Sequence, residues 1–194
     1  EIMEGLQYAK DNHCASVCIN PCNLDIAREV LEGSDVKIGT VIGFPSGAHT
    51  TFSKVAEAID AYARGAVELD MVIDIGALRN GEYDDVYNDI KAVVDATPAV
   101  VKVILENCYL TKEQIVKGCQ LCEKAGADFV KTSTGFAEGG ATVEDIKLMR
   151  ESVSEKVHVK AAGGIHSKED VEALVAAGAD RVGVSRTQAI AAEF

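Results

Sequence analysis

Lys131 stands in the middle of Asp128-Phe129-Val130-Lys131-Thr132-Ser133-Thr134-Gly135, a short apolar strand pattern that runs into small hydroxylated residues and a glycine. Burying an ammonium group there costs several kcal/mol unless it is paired or neutralised. One reading is a structural ion pair. The other is an amine that forms a Schiff base. An ordinary lysine, with a pKa of about 10.4, is neutral in only a few molecules per ten thousand at pH 7, and burial beside a second cation lowers that pKa. A second lysine close to Lys131 would therefore favour the nucleophile. Val157-His158-Val159-Lys160 offers one, on the next strand and at the same alternation.

The elements that must bring these lysines together alternate without interruption. Helical patterns over residues 2–13, 24–31, 51–64, 83–96, 112–125, 142–152, 168–177 and 187–193 separate strand patterns at 15–20, 37–44, 66–73, 99–107, 128–131, 157–163 and 180–185. A strand–helix beat of about 25 to 30 residues implies parallel strands joined by helical crossovers. Seven strands are counted, and the first element is a helix. One strand ahead of it would complete the eight of a (β/α)8 TIM barrel. The expected fold is thus an α/β barrel lacking its first strand, with residues 1–194 as one domain.

Side-chain parity separates a barrel from an open sheet. In Val67-Glu68-Leu69-Asp70-Met71-Val72-Ile73-Asp74 the odd positions are all apolar and three of the even ones are carboxylates. Neither face of a central strand in a doubly wound sheet accommodates such charge, whereas a barrel has an interior that leads to a ligand-binding mouth. Asp70, Lys131 and Lys160 then share the interior, each followed by a glycine-bearing loop at Gly76, Gly135 and Gly163. Two lysines on adjacent inward rows cannot both stay charged at ease, and Asp70 can pair with the protonated one or relay protons. Lys102, facing inward with Glu68 and Glu106, reads as a structural ion pair. Ala161-Ala162-Gly163-Gly164-Ile165 and Gly183-Val184-Ser185 end the last two strands, where barrels hold phosphate on backbone N–H groups.

Composition narrows the partners. A net charge of −12 argues against nucleic acid, and 47% hydrophobic residues with three prolines and no run of eighteen apolar ones argue for a globular protein without a membrane span. No signal peptide is visible, although the chain begins with Glu. The six cysteines look like reduced cytosolic thiols. Cys119-x-x-Cys122 has no second pair at zinc spacing, and Cys14-x3-Cys18-x3-Cys22 runs through a strand that cannot wrap an iron–sulfur cluster. No metal or cofactor is expected.

Val-Lys-Thr-Ser-Thr-Gly-Phe (130–136), Val-Lys-Ala-Ala-Gly-Gly-Ile (159–165), Glu-Leu-Asp-Met-Val-Ile-Asp-Ile-Gly-Ala-Leu (68–78), Val-Ile-Gly-Phe-Pro (41–45) and Ser-Val-Cys-Ile-Asn-Pro (16–21) together resemble the deoxyribose-phosphate aldolase family along the whole chain. The resemblance implies a cytoplasmic class I aldolase of barrel fold, acting without metal on a small phosphorylated sugar. It implies Lys131 as the Schiff-base lysine, Lys160 as the lysine that lowers its pKa and Asp70 as the proton relay. Gly135, Gly163, Gly164, Gly183 and Ser185 match the phosphate-binding positions. Asn20 and Thr132 are further hydrogen-bonding candidates, with strand-end capping as the alternative.

Departures from the family pattern are equally specific. The first strand, of Asp-His-Thr-Leu-Leu-Lys type, is absent. Asp74 stands where Asn is usual, His166 where Arg is frequent and Arg186-Thr187 where small residues are expected; His166 and Arg186 could still supply positive charge to a phosphate. A barrel without its first strand has an open seam, so either a homo-oligomer, a dimer in its simplest form, closes it, or the chain is a truncated form of weak or no activity. Another phosphate-binding barrel enzyme (isomerase, transaldolase or other Schiff-base aldolase) and a non-catalytic remnant stay open as alternatives.

Overall fold

The computed structural model of the protein describes residues 1–194. Seven strands form one sheet in sequence order, every neighbouring pair parallel: β1 (Ser16–Ile19), β2 (Lys37–Ile42), β3 (Glu68–Val72), β4 (Val100–Ile104), β5 (Phe129–Lys131), β6 (His158–Ala162) and β7 (Arg181–Gly183). Helices α1 (Ile2–Asp11), α2 (Leu24–Val30), α3 (Thr51–Ala63), α4 (Ile75–Asn80), α5 (Tyr83–Ala96), α6 (Lys112–Ala125), α7 (Val143–Ser152), α8 (Lys168–Ala176) and α9 (Thr187–Ala191) connect and flank them. The architecture is a (β/α)8 barrel with seven of its strands. β1 and β7 pair on one side only and are its two edges. The sheet curls far enough for Arg181 on β7 to reach Ser16 Oγ on β1, at 3.4 Å.

Local chemistry starts and stops the helices as their sequences dictate. Thr50, Thr142 and Ser167 accept from backbone N–H groups three residues on, satisfying donors that the first turn leaves orphaned. Gly126 ends α6 in the left-handed region at φ 89°, a conformation that costs a residue with a Cβ. At α6 Thr111 and Gln114 form a capping box, the Thr111 hydroxyl accepting from Gln114 N–H and the Gln114 side chain accepting from Thr111 N–H.

One element departs from the sequence reading. Gly76, expected in a loop, lies in α4, and Asp74 is the N-cap of that helix, its carboxylate accepting from Ala77 N–H at 2.9 Å. Asp and Asn serve this role about equally, so Asp74 in place of Asn leaves the turn intact. The pattern is hard to read because α4 follows β3 after only two residues.

Strand parity divides the barrel into two environments. Leu69, Met71, Val101, Val103, Val130, Val159 and Ala161 belong to a buried cluster of 34 residues between sheet and helices. Glu68, Asp70, Lys102, Lys131 and Lys160, on the alternate positions, are all buried too, but on the interior side, where they meet one another. A separate buried ion pair ties helices to sheet: Lys54 on α3 donates to Asp89 on α5 at 2.6 Å and to Val72 O at the end of β3 at 3.1 Å. This pair is invisible in the sequence, since its members are 35 residues apart on two different helices, each a lone charge on the buried face with Ala58 and Ala61 or with Val86, Ile90 and Val93.

Because Leu69 carries the outward packing of β3 while its neighbours carry the inward charge, Leu69→Ala is expected to cost about 2–5 kcal/mol of stability. Urea unfolding monitored by far-UV circular dichroism measures the loss; a change below about 1 kcal/mol would contradict the assigned parity.

Candidate active site

Strand register brings the two lysines together. Lys131 on β5 lies directly beside Lys160 on β6, and Asp70 on β3 beside Lys102 on β4. Both amines converge on one oxygen: Lys131 Nζ is 2.8 Å and Lys160 Nζ 2.9 Å from Asp70 Oδ2. The other oxygen, Oδ1, accepts from Lys102 Nζ at 2.8 Å. Lys102 also donates to Glu68 Oε2 at 2.7 Å, and Arg181 Nη1 reaches both Glu68 oxygens at 2.9 Å. The interior therefore holds a continuous chain from Arg181 through Glu68, Lys102 and Asp70 to the two lysines.

Four basic side chains against two carboxylates leave this chamber locally positive inside an acidic protein. Burial by itself would raise the Asp70 carboxyl, but Lys131, Lys160 and Lys102 overcome it and hold that pKa far below the usual carboxylate range. Burial pushes Lys160 below the usual ammonium range; Asp70 resists, and Lys131 and Lys102 push it further down. Two amines on one oxygen titrate as a coupled pair, so the deprotonated species belongs to the pair. Such an arrangement can supply a neutral amine next to a protonated one, as addition to a carbonyl requires.

The loops at the carboxyl ends of β5 to β7 crowd together through their glycines. A Cβ built on Gly163 would lie 3.7 Å from Gly135 Cα and 3.2 Å from Gly140 Cα. Gly140, not singled out from the sequence, sits so close that a Cβ would fall 2.3 Å from Gly163 O, and Ala141 N–H donates to that same oxygen at 3.0 Å. Gly163 and Gly164 adopt φ of 81° and 71°. Gly183 has a different task beside the amines. A Cβ there would stand 3.1 Å from Lys160 Cε, so the missing side chain gives Lys160 its path into the chamber.

Other predicted residues fall outside the amine cluster. Thr132 Oγ1 donates to Ala162 O at 3.0 Å and accepts from Ala162 N–H at 3.1 Å, stitching β5 to β6. Asn20 is exposed and makes no side-chain cap. Ser185, His166 and Arg186 are exposed on the loops after β6 and β7. Lys102 pairs with Glu68 as expected but not with Glu106. Glu106 lies past the end of β4 at φ 56°, and its carboxylate turns to Thr134. Arg181 went unnoticed in the sequence, where its only signal was a charged residue at the inward parity of a strand, and Glu106 was noticed there only as a partner for Lys102.

This chain matches the family described as DeoC/LacD family aldolase over residues 2–187. The chain belongs to that family. A deoxyribose-phosphate aldolase of Thermoanaerobacter pseudethanolicus is 54% identical over 198 residues, covering 100% of this chain and 89% of that protein. Among solved structures, the aldolase QR15 superposes with a TM-score of 0.95 at 42% identity, covering 100% of this chain and 87% of that one. The tetrameric deoxyribose phosphate aldolase of Aeropyrum pernix superposes with a TM-score of 0.90 at 30% identity, covering 97% and 81%. Membership in the aldolase family agrees with a chamber in which two lysines share a carboxylate oxygen.

The sign of each shift sets a pH dependence. Asp70, lowered in the folded state, contributes stability above its ordinary value of about 3.8 that is lost as pH falls through its folded pKa. Lys160, also lowered, has the same sign in a different window: stability rises as pH climbs from its folded pKa to the ordinary value near 10.5. Lys102→Met removes one of the cations that depress Lys160, so the Lys160 titration is expected to move upward. NMR of isotopically labelled lysine side chains reads this directly; a titration that stays put or moves down would contradict the electrostatic coupling.

Proposed function

We propose that this chain reversibly cleaves 2-deoxy-D-ribose 5-phosphate to acetaldehyde and D-glyceraldehyde 3-phosphate through a Schiff base on Lys131. The observation that carries the reading is the shared Asp70 Oδ2, which joins Lys131 and Lys160 in a buried chamber within a chain of the DeoC/LacD family. The neutral Lys131 amine adds to the sugar aldehyde, and loss of water leaves a protonated imine. That imine accepts the electron pair released when the C–C bond breaks, while the hydroxyl proton on the far carbon leaves to a base. Protonation of the resulting enamine and hydrolysis then free acetaldehyde and the amine. Lys160, Asp70 and a water move these protons.

The phosphate falls to the loops after β5, β6 and β7. The backbone N–H groups of Gly135, Gly163 and Gly164 make no hydrogen bond within the chain, which leaves them free for an anion. Gly183 and Ser185 border the same end, and Arg186 and His166 follow the loops with basic side chains. A homo-oligomer, with a dimer as its simplest form, is supported by the tetrameric relative from Aeropyrum pernix. A cytoplasmic setting accords with six free thiols. No helix is long and apolar enough to cross a membrane.

Borohydride reduction in the presence of acetaldehyde or deoxyribose 5-phosphate, followed by peptide mass analysis, is expected to leave an adduct on Lys131. Lys131→Leu should abolish trapping, and an adduct retained on another lysine would move the assignment. Absence of any adduct in the unaltered protein would sink the aldolase reading. For the assembly, light scattering is expected to give a mass of at least two chains, and a monomer with full turnover would refute it.

A further inference from the structure

We propose that Glu106 is a positioning residue that shapes the turn after β5 to receive a phosphate, and so sets the preference for phosphorylated over unphosphorylated substrates. The proposal rests on the aldolase reading above. Glu106 is 2% exposed, and no Lys, Arg or His lies within ion-pair distance of its carboxylate. Its backbone sits at φ 56° and ψ 63°, a region that side chains other than glycine rarely adopt. A buried carboxylate without a cation, on a strained backbone, persists only where its surroundings over-determine it.

Both oxygens of Glu106 are spent on one residue. Oε1 accepts from Thr134 N–H at 3.1 Å, and Oε2 accepts from the Thr134 hydroxyl. A carboxylate cannot donate, so the Thr134 hydroxyl proton must point to Glu106 and its lone pairs face away. They accept from Phe136 N–H at 3.0 Å. The clamp thereby consumes the N–H groups of residues 134 and 136 and leaves that of Gly135, between them, without a partner. Gly135 stands at φ 83° with no atom within 4 Å of where a Cβ would be, beside Gly163. The turn thus leaves one unsatisfied N–H beside Gly163, and the N–H groups of Gly163 and Gly164 are likewise without a partner.

Lys131 does not depend on this clamp. Its own carbonyl accepts from Leu105 N–H at 2.9 Å, and Thr132 O accepts from Asn107 N–H at 3.0 Å, so the strand is held before the turn begins. Loss of the clamp should therefore weaken recognition of the phosphate while the amine still forms imines with a small aldehyde.

The experiment compares kcat/KM for deoxyribose 5-phosphate with that for unphosphorylated 2-deoxyribose, and scores acetaldehyde trapping on Lys131 separately. Glu106→Ala is expected to lower the ratio about tenfold or more, through KM for the phosphorylated sugar, with trapping on Lys131 preserved. Thr134→Val, which keeps the backbone and removes only the hydroxyl, should lower it about threefold or more. Glu106→Gln should restore most of it, because its amide oxygen can still accept from Thr134 N–H while its NH2 group donates to the hydroxyl. An unchanged ratio in both Glu106→Ala and Thr134→Val, or equal losses on both sugars, would overturn the proposal. Inorganic phosphate gives a test independent of turnover. It should shift the Gly135 amide resonance in the unaltered protein and much less in Thr134→Val; equal shifts would count against the clamp even if no aldehyde were ever trapped.

Discussion

Asp70 is the charge on which the interior of this protein turns. It is fully buried, yet three ammonium groups reach its two oxygens, Lys102 on one side and Lys131 with Lys160 on the other. A lone carboxylate so buried would be protonated, and three lysines so close would repel one another. Each is tolerable only because of the others. Removing one member of such a buried network generally costs about 3–5 kcal/mol, since the charge left behind has no water to turn to. Burial and the same crowding lower the Lys160 ammonium below its ordinary range.

The network exists because parallel register sets the depth of each strand. Lys131 and Lys160 are level across the β5–β6 pair, and Asp70 and Lys102 across β3–β4. A one-residue slip in any strand would turn its charged side chain outward into the helix layer, where Leu69, Val103 and Val159 pack. Apolar packing outside thus holds the charged chamber inside in place. Lys102 links the two halves, and Arg181 extends the chain across to Glu68 while also touching Ser16 near the open seam.

At the carboxyl end of the strands the constraint changes from charge to backbone. Gly140 and Gly163 come so near one another that a side chain on Gly140 would collide with the Gly163 carbonyl, and the N–H groups of Gly135, Gly163 and Gly164 are left without a partner in the chain. Gly183 belongs to both regions, since it ends β7 and clears the way for Lys160. A positive chamber with anion-accepting backbone at its mouth suits a small phosphorylated carbonyl compound, in spite of a net charge of −12 over the whole chain.

The sequence by itself determined the order and type of nearly every element, the inward parity of Glu68, Asp70, Lys102 and Lys160, and the pairing of Lys131 with Lys160. Alternation and helix punctuation are local, and a glycine or a capping threonine acts on its own few residues. Tertiary structure alone decided what meets across the chain. Glu106 bonds Thr134 instead of Lys102, Lys131 and Lys160 meet on a single oxygen of Asp70, Gly183 makes room for a side chain 23 residues earlier, and Arg181 crosses to Glu68. These depend on how far the sheet curls and on the distances between charges inside it, and no window of sequence contains those distances.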